Sequence, residues 1–120
     1  RVAAAIRADF AAVAVAVLTG AGQENRIYEL AGDEPFSMAD LAAEVSSRAG
    51  KPVAYRDLPP GDYRKVLIGT GAPEPFAELL VDSSVGIGGG ALDDESGDLR
   101  RLIGHPTTPL AEAVAAALRD

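Results

Sequence analysis

Residues 86–91 (GIGGGA) are the one stretch of the sequence whose residue types and spacing suit a phosphate group. They fit the pattern G-x-G-x-x-G/A, in which glycines form a tight turn between a strand and a helix and a pyrophosphate lies at the helix N-terminus. The residues that follow, LDDESGD, would make a poor helix, and their charges would repel phosphate. The context therefore favours a flexible loop over a nucleotide site.

The acidic residues of the same stretch are candidate ligands for a calcium ion. An EF-hand loop places oxygen ligands at alternate positions before a glycine, with a glutamate at its end. Asp93 and Glu95 alternate in this way, but Gly97 stands where the next ligand should be. We therefore expect a solvated acidic loop and no metal site.

Histidine and cysteine offer little further chemistry. His105 is the one histidine and lies between Gly104 and Pro106, which is typical of a surface turn. The chain has no cysteine, which excludes disulfides and thiolate metal sites. The sequence therefore predicts no catalytic residue and no metal ligand in this chain.

The tyrosines were compared with the tyrosine–lysine pair of short-chain dehydrogenases, in which the lysine follows four residues later on a helix. The residues four positions after the three tyrosines are Gly32, Pro59 and Leu67, so the pair is absent. Tyr63 follows a Pro-Pro-Gly turn and is the tyrosine best placed to point its hydroxyl into a pocket. Tyr63 and Phe76 are therefore the predicted substrate-pocket residues, with core or rim packing as the alternative.

Charge narrows the range of partners. The 120 residues contain 18 acidic and 11 basic side chains, for a net charge of −7. Nucleic acids and anionic membranes need a basic surface, so neither is expected as a partner. Residues 10–18 are an apolar run too short to span a bilayer, and we expect a helix there rather than a signal peptide. A cytoplasmic protein is the expectation.

Hydrophobic periodicity predicts alternating helices and strands in the first half of the chain. Residues 8–18 and 37–49 show helical spacing, and Ser37 with Asp40 forms a capping-box pattern before the second helix. Residues 26–31 and 52–58 alternate in polarity, which is typical of strands. An α-β-α-β order indicates a parallel sheet covered by helices.

The second half predicts helices separated by glycine and proline. Short helices are expected over residues 62–69 and 99–103, a longer one from Pro73 or Pro75, and a last one capped by Thr108. Residues 82–98 are polar and rich in glycine, so a long loop is expected there. Two strands cannot form a stable sheet alone. The predicted fold class is therefore α/β: a C-terminal helical and strand segment that lacks the main parallel sheet.

Three segments, taken in order, resemble a known family. They are RADFAAVAVAVLTG, then IYELAGDEPFSMADLAAEVSSRAGKPVAYRDLPPGDY, and then LLVDSSVGIGGGALDDESGDLRRLIGHPTTPLAEAV. Together they are similar to the C-terminal part of NAD(P)H-dependent quinone oxidoreductase-like proteins. These are atypical short-chain dehydrogenases of the NmrA-like group, often called nucleoside-diphosphate-sugar epimerases. The ending GDLRRLIGHPTTPL is the most specific segment and points to the quinone-reductase-like branch.

The resemblance implies a Rossmann domain upstream that holds NADP or NAD in the full-length protein, while residues 1–120 are the substrate-side segment. It implies an oxidoreductase that reduces quinones or similar small electrophiles, with this chain alone inactive. Alternatives are an NAD(P)-sensing NmrA-like regulator without turnover and a nucleotide-sugar epimerase or dehydratase segment. The acidic charge disfavours the last, because a diphosphate substrate needs Arg or Lys in its pocket. We also expect a homo-oligomer through an exposed apolar face.

Overall fold

The structure is a computed structural model that describes residues 1–119 and shows six helices within them. They are α1 (Arg7–Thr19), α2 (Met38–Ala49), α3 (Pro60–Gly69), α4 (Glu74–Gly88), α5 (Asp98–Ile103) and α6 (Leu110–Ala117). The helices pack as three separate pairs, α1 with α5, α3 with α4, and α2 with α6. None of the helices in this range is long and apolar enough to cross a membrane.

The helix-end signals in the sequence are confirmed for α2. The Ser37 hydroxyl accepts a hydrogen bond from the backbone N–H of Asp40 at 3.1 Å, and the Asp40 carboxylate accepts one from the backbone N–H of Ser37 at 2.8 Å. Gly50 follows the helix with φ of 64°, a left-handed conformation that glycine adopts without strain. Both ends of α2 are therefore fixed by local chemistry.

The two predicted strands are wrong for residues 1–119, which contain no paired strand. Residues 26–31 and 52–58 have no regular secondary structure, and neither segment forms a ladder of backbone hydrogen bonds with another segment. The one β-bridge among the described residues joins Val2 to Phe36. A strand requires a neighbour to accept and donate its backbone hydrogen bonds. Alternating polarity was therefore not sufficient evidence for a strand, because neither segment has a backbone pairing partner among the described residues.

The loop predicted over residues 82–98 is also wrong in its first part, because α4 continues to Gly88. The hydroxyls of Ser83 and Ser84 donate to the carbonyls of Leu79 and Leu80, each at 2.8 Å. These bonds to the preceding turn let serine remain inside a helix. Polarity alone therefore did not end the helix, and the irregular segment is confined to residues 89–97.

The fold is open for a chain of this length. Its radius of gyration is 16.9 Å, where a compact domain of 120 residues has about 14 Å. Its accessible surface is 8249 Å², where a compact monomer of this mass has about 6,100 Å². The excess of ~2,100 Å² exceeds the ~800 Å² that each partner buries in a standard-size interface.

The core is correspondingly small. Leu99 is the one large side chain that is fully buried among the described residues. It lies on α5, the helix that packs against α1. Most other buried apolar residues are alanine or valine. The large apolar side chains left exposed come from several elements: Phe10, Val15, Leu18, Ile27, Val53, Tyr55, Val66, Ile68, Phe76, Leu79, Val85, Leu92 and Leu118. Three helix pairs that share no common core leave these surfaces uncovered.

The capping box predicts a measurable contribution of Ser37 to stability. Ser37→Ala removes the acceptor for the Asp40 N–H and should lower the free energy of unfolding by about 1 kcal/mol. Chemical denaturation measures this change. Ser47→Ala, at an exposed position of the same helix, is the matched control and should not destabilise the protein.

The capping box of Ser37 and Asp40 also makes the free energy of unfolding depend on pH. The Ser37 hydroxyl and backbone N–H donate to Asp40 and lower the pKa of that carboxyl below its ordinary value. Because the pKa of Asp40 is lower in the folded state, its carboxylate stabilises the protein at pH values above the unfolded pKa of about 4. This stabilisation is lost as the pH falls through the folded-state pKa. The destabilisation caused by Asp40→Asn should therefore shrink as the pH is lowered from 6 toward 2.5. A difference that stays constant over this range would contradict the assignment.

Candidate functional site

A cleft lies between the N-terminal segment, the residues before α2, and the turn between α5 and α6. Its volume is about 530 Å³, within the range of small-molecule sites. Its lining is mostly apolar, with a few charged and hydroxyl groups: Ala4, Ala5, Ile6, Asp33, Glu34, Phe36, Arg100, Pro106, Thr107, Thr108, Pro109, Leu110 and Ala113.

The turn that forms one wall of the cleft is held by a buried carboxylate, Asp9. This residue in the first turn of α1 is 5% exposed. Its carboxylate accepts hydrogen bonds from the backbone N–H of Thr108 at 2.9 Å and from the Thr108 hydroxyl at 3.3 Å. Thr108 therefore bonds to α1 and does not cap α6, which begins at Leu110 after Pro109. The predicted Thr108 cap is wrong. The helix begins one residue later than predicted, with Pro109 at the N-cap position, and the Thr108 hydroxyl donates to the Asp9 carboxylate.

A second carboxylate, Asp33, holds the preceding residue of the same turn. The backbone N–H of Thr107 donates to Asp33 at 3.0 Å, and the backbone N–H of Asp33 donates to the Thr107 hydroxyl oxygen at 2.9 Å. Arg100 approaches the same carboxylate at 3.6 Å, too far for a direct hydrogen bond. These bonds join the segment before α2 to the turn between α5 and α6.

Proline chemistry explains why the turn depends on these two carboxylates. Pro106 and Pro109 carry no backbone N–H, so Thr107 and Thr108 supply the backbone donors between them. Buried donors must be paired, and each is paired with one aspartate. Neither Asp9 nor Asp33 was predicted from the sequence. The available signals were a charged residue opening an apolar helix and a Thr-Thr pair between two prolines.

Gly32 fixes the register of the N-terminal segment against the residues before α2. Its backbone N–H donates to the Ala3 carbonyl at 2.9 Å, while Val2 and Phe36 exchange backbone bonds at 2.8 and 3.0 Å. A Cβ atom on Gly32 would lie 2.2 Å from the Ala4 carbonyl oxygen. Only glycine permits this approach, which brings its two sequence neighbourhoods together beside the lining residues Ala4 and Asp33.

The residues present do not fit the phosphates of a dinucleotide. Residues 86–88 are the last residues of α4, and the backbone N–H groups of Gly89, Gly90 and Ala91 donate to the carbonyls of Val85, Ile87 and Gly86. A phosphate site needs free N–H groups at a helix N-terminus, and this is the C-terminal, negative end of a helix. The glycine run is therefore a helix end whose N–H groups are already paired, and it does not suit the phosphates of a cofactor.

The predicted pocket residues lie elsewhere, on the α3–α4 pair. Tyr63 is half-buried on α3, and Phe76 is 52% exposed on α4. Neither residue lines the cleft. Arg64 links the two helices through Glu74 and through Glu78, the latter at 3.5 Å. The structure thus places Tyr63 and Phe76 on one helical hairpin with an exposed apolar surface, separate from the cleft.

The acidic side chains of Asp93 and Glu95 form ion pairs within the chain. Arg1 contacts Asp93 at 3.1 Å and Glu95 at 3.2 Å. The hydrogen bond from Arg1, followed by its charge, lowers the pKa of Asp93, and Asp93 in turn raises the pKa of Arg1. Among residues 1–119, no three His, Asp or Glu side chains are grouped so that they could hold a metal ion.

The comparisons with known proteins identify close relatives. Quinone oxidoreductase 2 of Escherichia coli (strain K12) is 46% identical over 115 residues, which are 96% of this chain and 40% of that protein. The crystal structure of the Escherichia coli NADPH-dependent quinone oxidoreductase complexed with NADPH superposes with a TM-score of 0.93 at 45% identity. The match covers 98% of this chain and 41% of that chain.

A second enzyme shares the same fold. The Citrobacter sp. triphenylmethane reductase complexed with NADP(H) has a TM-score of 0.90 at 35% identity, covering 97% of this chain and 40% of that one. No protein-family model matches the sequence. The chain spans about two fifths of the length of the relatives it matches. The predicted resemblance and the fold class, a C-terminal segment of a Rossmann-type protein, are confirmed.

The Asp9 bonds predict a specific cost of substitution. Asp9→Asn keeps the size of the side chain but turns an amide N–H₂ toward one of the Thr108 donors, which leaves a buried group unpaired. The free energy of unfolding should fall by about 2 kcal/mol. Asp82→Asn, at an exposed position on α4, is the control and should change it by less than about 0.5 kcal/mol. Equal effects of the two substitutions, measured by urea denaturation, would contradict the role of Asp9.

Proposed function

We propose, from the chain's homology to the C-terminal part of NADPH-dependent quinone oxidoreductases, that it is the substrate-side segment of an NAD(P)H-dependent oxidoreductase. The observation that carries the proposal is the match over 96% of the chain at 46% identity to a quinone oxidoreductase. The substrates would be quinones or similar small electrophiles. The whole protein's activity is inferred from relatives more than twice as long as this chain.

The openness of the fold supports a further domain. The uncovered surface of ~2,100 Å² exceeds one side of a standard-size interface. Residues 26–31 and 52–58 lack backbone pairing partners among the described residues. We infer that a Rossmann domain, encoded outside residues 1–120, supplies the sheet against which these segments lie. Residues 1–120 would then form one substrate-side unit.

The cofactor would be NADP or NAD, held by that Rossmann domain. When bound, it supplies the hydride for reduction. The residues of this chain bind and orient the substrate and exclude water from it. Tyr63 and Phe76 are the proposed contacts, because the half-exposed ring on α4 and the hydroxyl-bearing ring on α3 lie on the same hairpin.

We also propose that the protein is cytoplasmic and forms a homo-oligomer. The absence of cysteine is compatible with a reducing compartment. Any apolar surface that the Rossmann domain does not cover remains available to a second copy of the chain. Light scattering on the longer polypeptide measures its mass, and a strict monomer at high concentration would contradict this part.

Cofactor binding directly tests the proposal that the Rossmann domain holds the cofactor while this chain contacts the substrate. The 120-residue chain should bind no NADPH at micromolar concentration, because its glycine run is a helix C-terminus. The longer polypeptide that contains it should bind NADPH and oxidise it with benzoquinone. Calorimetry measures the first quantity and loss of NADPH absorbance the second.

Three other outcomes separate the alternatives. Micromolar NADPH binding by the 120-residue chain would contradict the proposed division. Binding without turnover across a panel of quinones would support an NAD(P)-sensing regulator. Turnover of a nucleotide sugar in place of quinones would support an epimerase or dehydratase.

Substitutions on the hairpin test the substrate contacts. Phe76→Ala and Tyr63→Phe should each raise the KM for the quinone about fivefold, the equivalent of ~1 kcal/mol of binding, with kcat nearly unchanged. Phe10→Ala and Tyr55→Phe remove the same groups at exposed positions outside the hairpin and are the matched controls. Equal changes of KM in the hairpin variants and in the controls would show that Tyr63 and Phe76 do not contact the substrate.

A further inference from the structure

The cleft beside the Thr107–Thr108 turn has the shape of a site for a small planar molecule. Its walls come from four parts of the chain and include Ile6, Phe36, Pro106 and Leu110. A volume of about 530 Å³ is ample for one aromatic ring with a polar substituent. The flat faces of an aromatic ring and of proline favour a planar apolar body.

Two groups at the cleft can donate hydrogen bonds. Arg100 is more than half exposed, and its contact with Asp33 at 3.6 Å leaves its N–H groups available. Thr107 is buried, and its hydroxyl oxygen accepts from the Asp33 N–H at 2.9 Å. The hydroxyl hydrogen of Thr107 makes no bond within residues 1–119 and can therefore donate to a ligand. Both donors suit a carbonyl oxygen.

The charges of the cleft favour a neutral ligand over an anionic one. Arg100 contributes one positive charge, whereas Asp33 and Glu34 contribute two negative ones. Asp33 is occupied by the Thr107 N–H, but Glu34 is exposed and has no hydrogen-bond or ion-pair partner within residues 1–119. A ligand N–H group suits this carboxylate. The lining thus offers donors and an acceptor together with a net charge of −1.

We propose that the cleft binds a neutral aromatic carboxamide. Its ring lies on the apolar walls, its carbonyl oxygen accepts from Arg100 and Thr107, and its N–H₂ donates to Glu34. An aromatic carboxylate has no N–H to donate and meets the negative charge of the lining. This site lies apart from Tyr63 and Phe76, and its occupation does not require NADPH.

The test uses three probes with the same ring and different charge: benzamide, benzoate and benzylamine. They are titrated, without NADPH, into the longer polypeptide that contains the chain, and amide chemical shifts are followed by NMR. Benzamide should shift residues around the turn with a Kd on the order of 1 mM, typical of a ligand of this size. Benzoate should bind at least about tenfold more weakly. Benzylamine should also bind more weakly, because it has no carbonyl oxygen to accept hydrogen bonds from Arg100 and Thr107.

Paired variants locate the site. Ala4→Trp fills the cleft from an exposed position and should abolish benzamide binding, whereas Ala8→Trp, exposed on α1 outside the cleft, should not alter it. Arg100→Gln should weaken binding about fivefold, and its neighbour variant Arg101→Gln should leave it unchanged. Benzamide binding that survives Ala4→Trp, or is absent from the folded wild-type protein, would overturn the proposal. NADPH oxidation assayed on the same protein decides the reductase role separately.

Discussion

Apolar surface that the chain cannot cover with its own residues is the constraint on which the rest of the structure depends. Apart from Leu99, the buried apolar residues are alanine and valine, which are too small to join one helix pair to the next. The consequence, for residues 1–119, is three helix pairs with one fully buried large side chain, Leu99, and an accessible surface of 8249 Å². The hydrophobic effect favours covering such a surface. A sheet in the longer polypeptide is the cover that the homology indicates.

Polar bonds provide much of the long-range connection that the core does not. Asp9 and Asp33 bring the beginning of α1 and the segment before α2 onto the turn before α6. These carboxylates meet backbone donors isolated between two prolines, so the bonds satisfy groups that would otherwise be buried unpaired. The cleft owes its shape to this junction, because Thr107 and Thr108 form one of its walls.

The sequence predicted the elements whose signals are local and failed where the deciding partner is distant. The ends of α2 followed from Ser37, Asp40 and Gly50, and all three act within one turn of the helix. The strands at residues 26–31 and 52–58 could not be judged from alternation, because pairing depends on a neighbour outside the segment. The cleft was not predicted at all. Its aspartates are 99 and 74 residues from the threonines that they hold, and no local pattern marks such a pair.

Amide hydrogen exchange tests most directly whether this chain depends on a covering sheet. The comparison is between the 120-residue chain, diluted until it is monomeric, and the longer polypeptide that contains it. We expect residues 26–31 and 52–58 to exchange at nearly unfolded rates in the isolated chain and to be strongly protected in the longer polypeptide. Strong protection of both segments in the isolated monomer would show that the chain supplies its own pairing and would contradict the account.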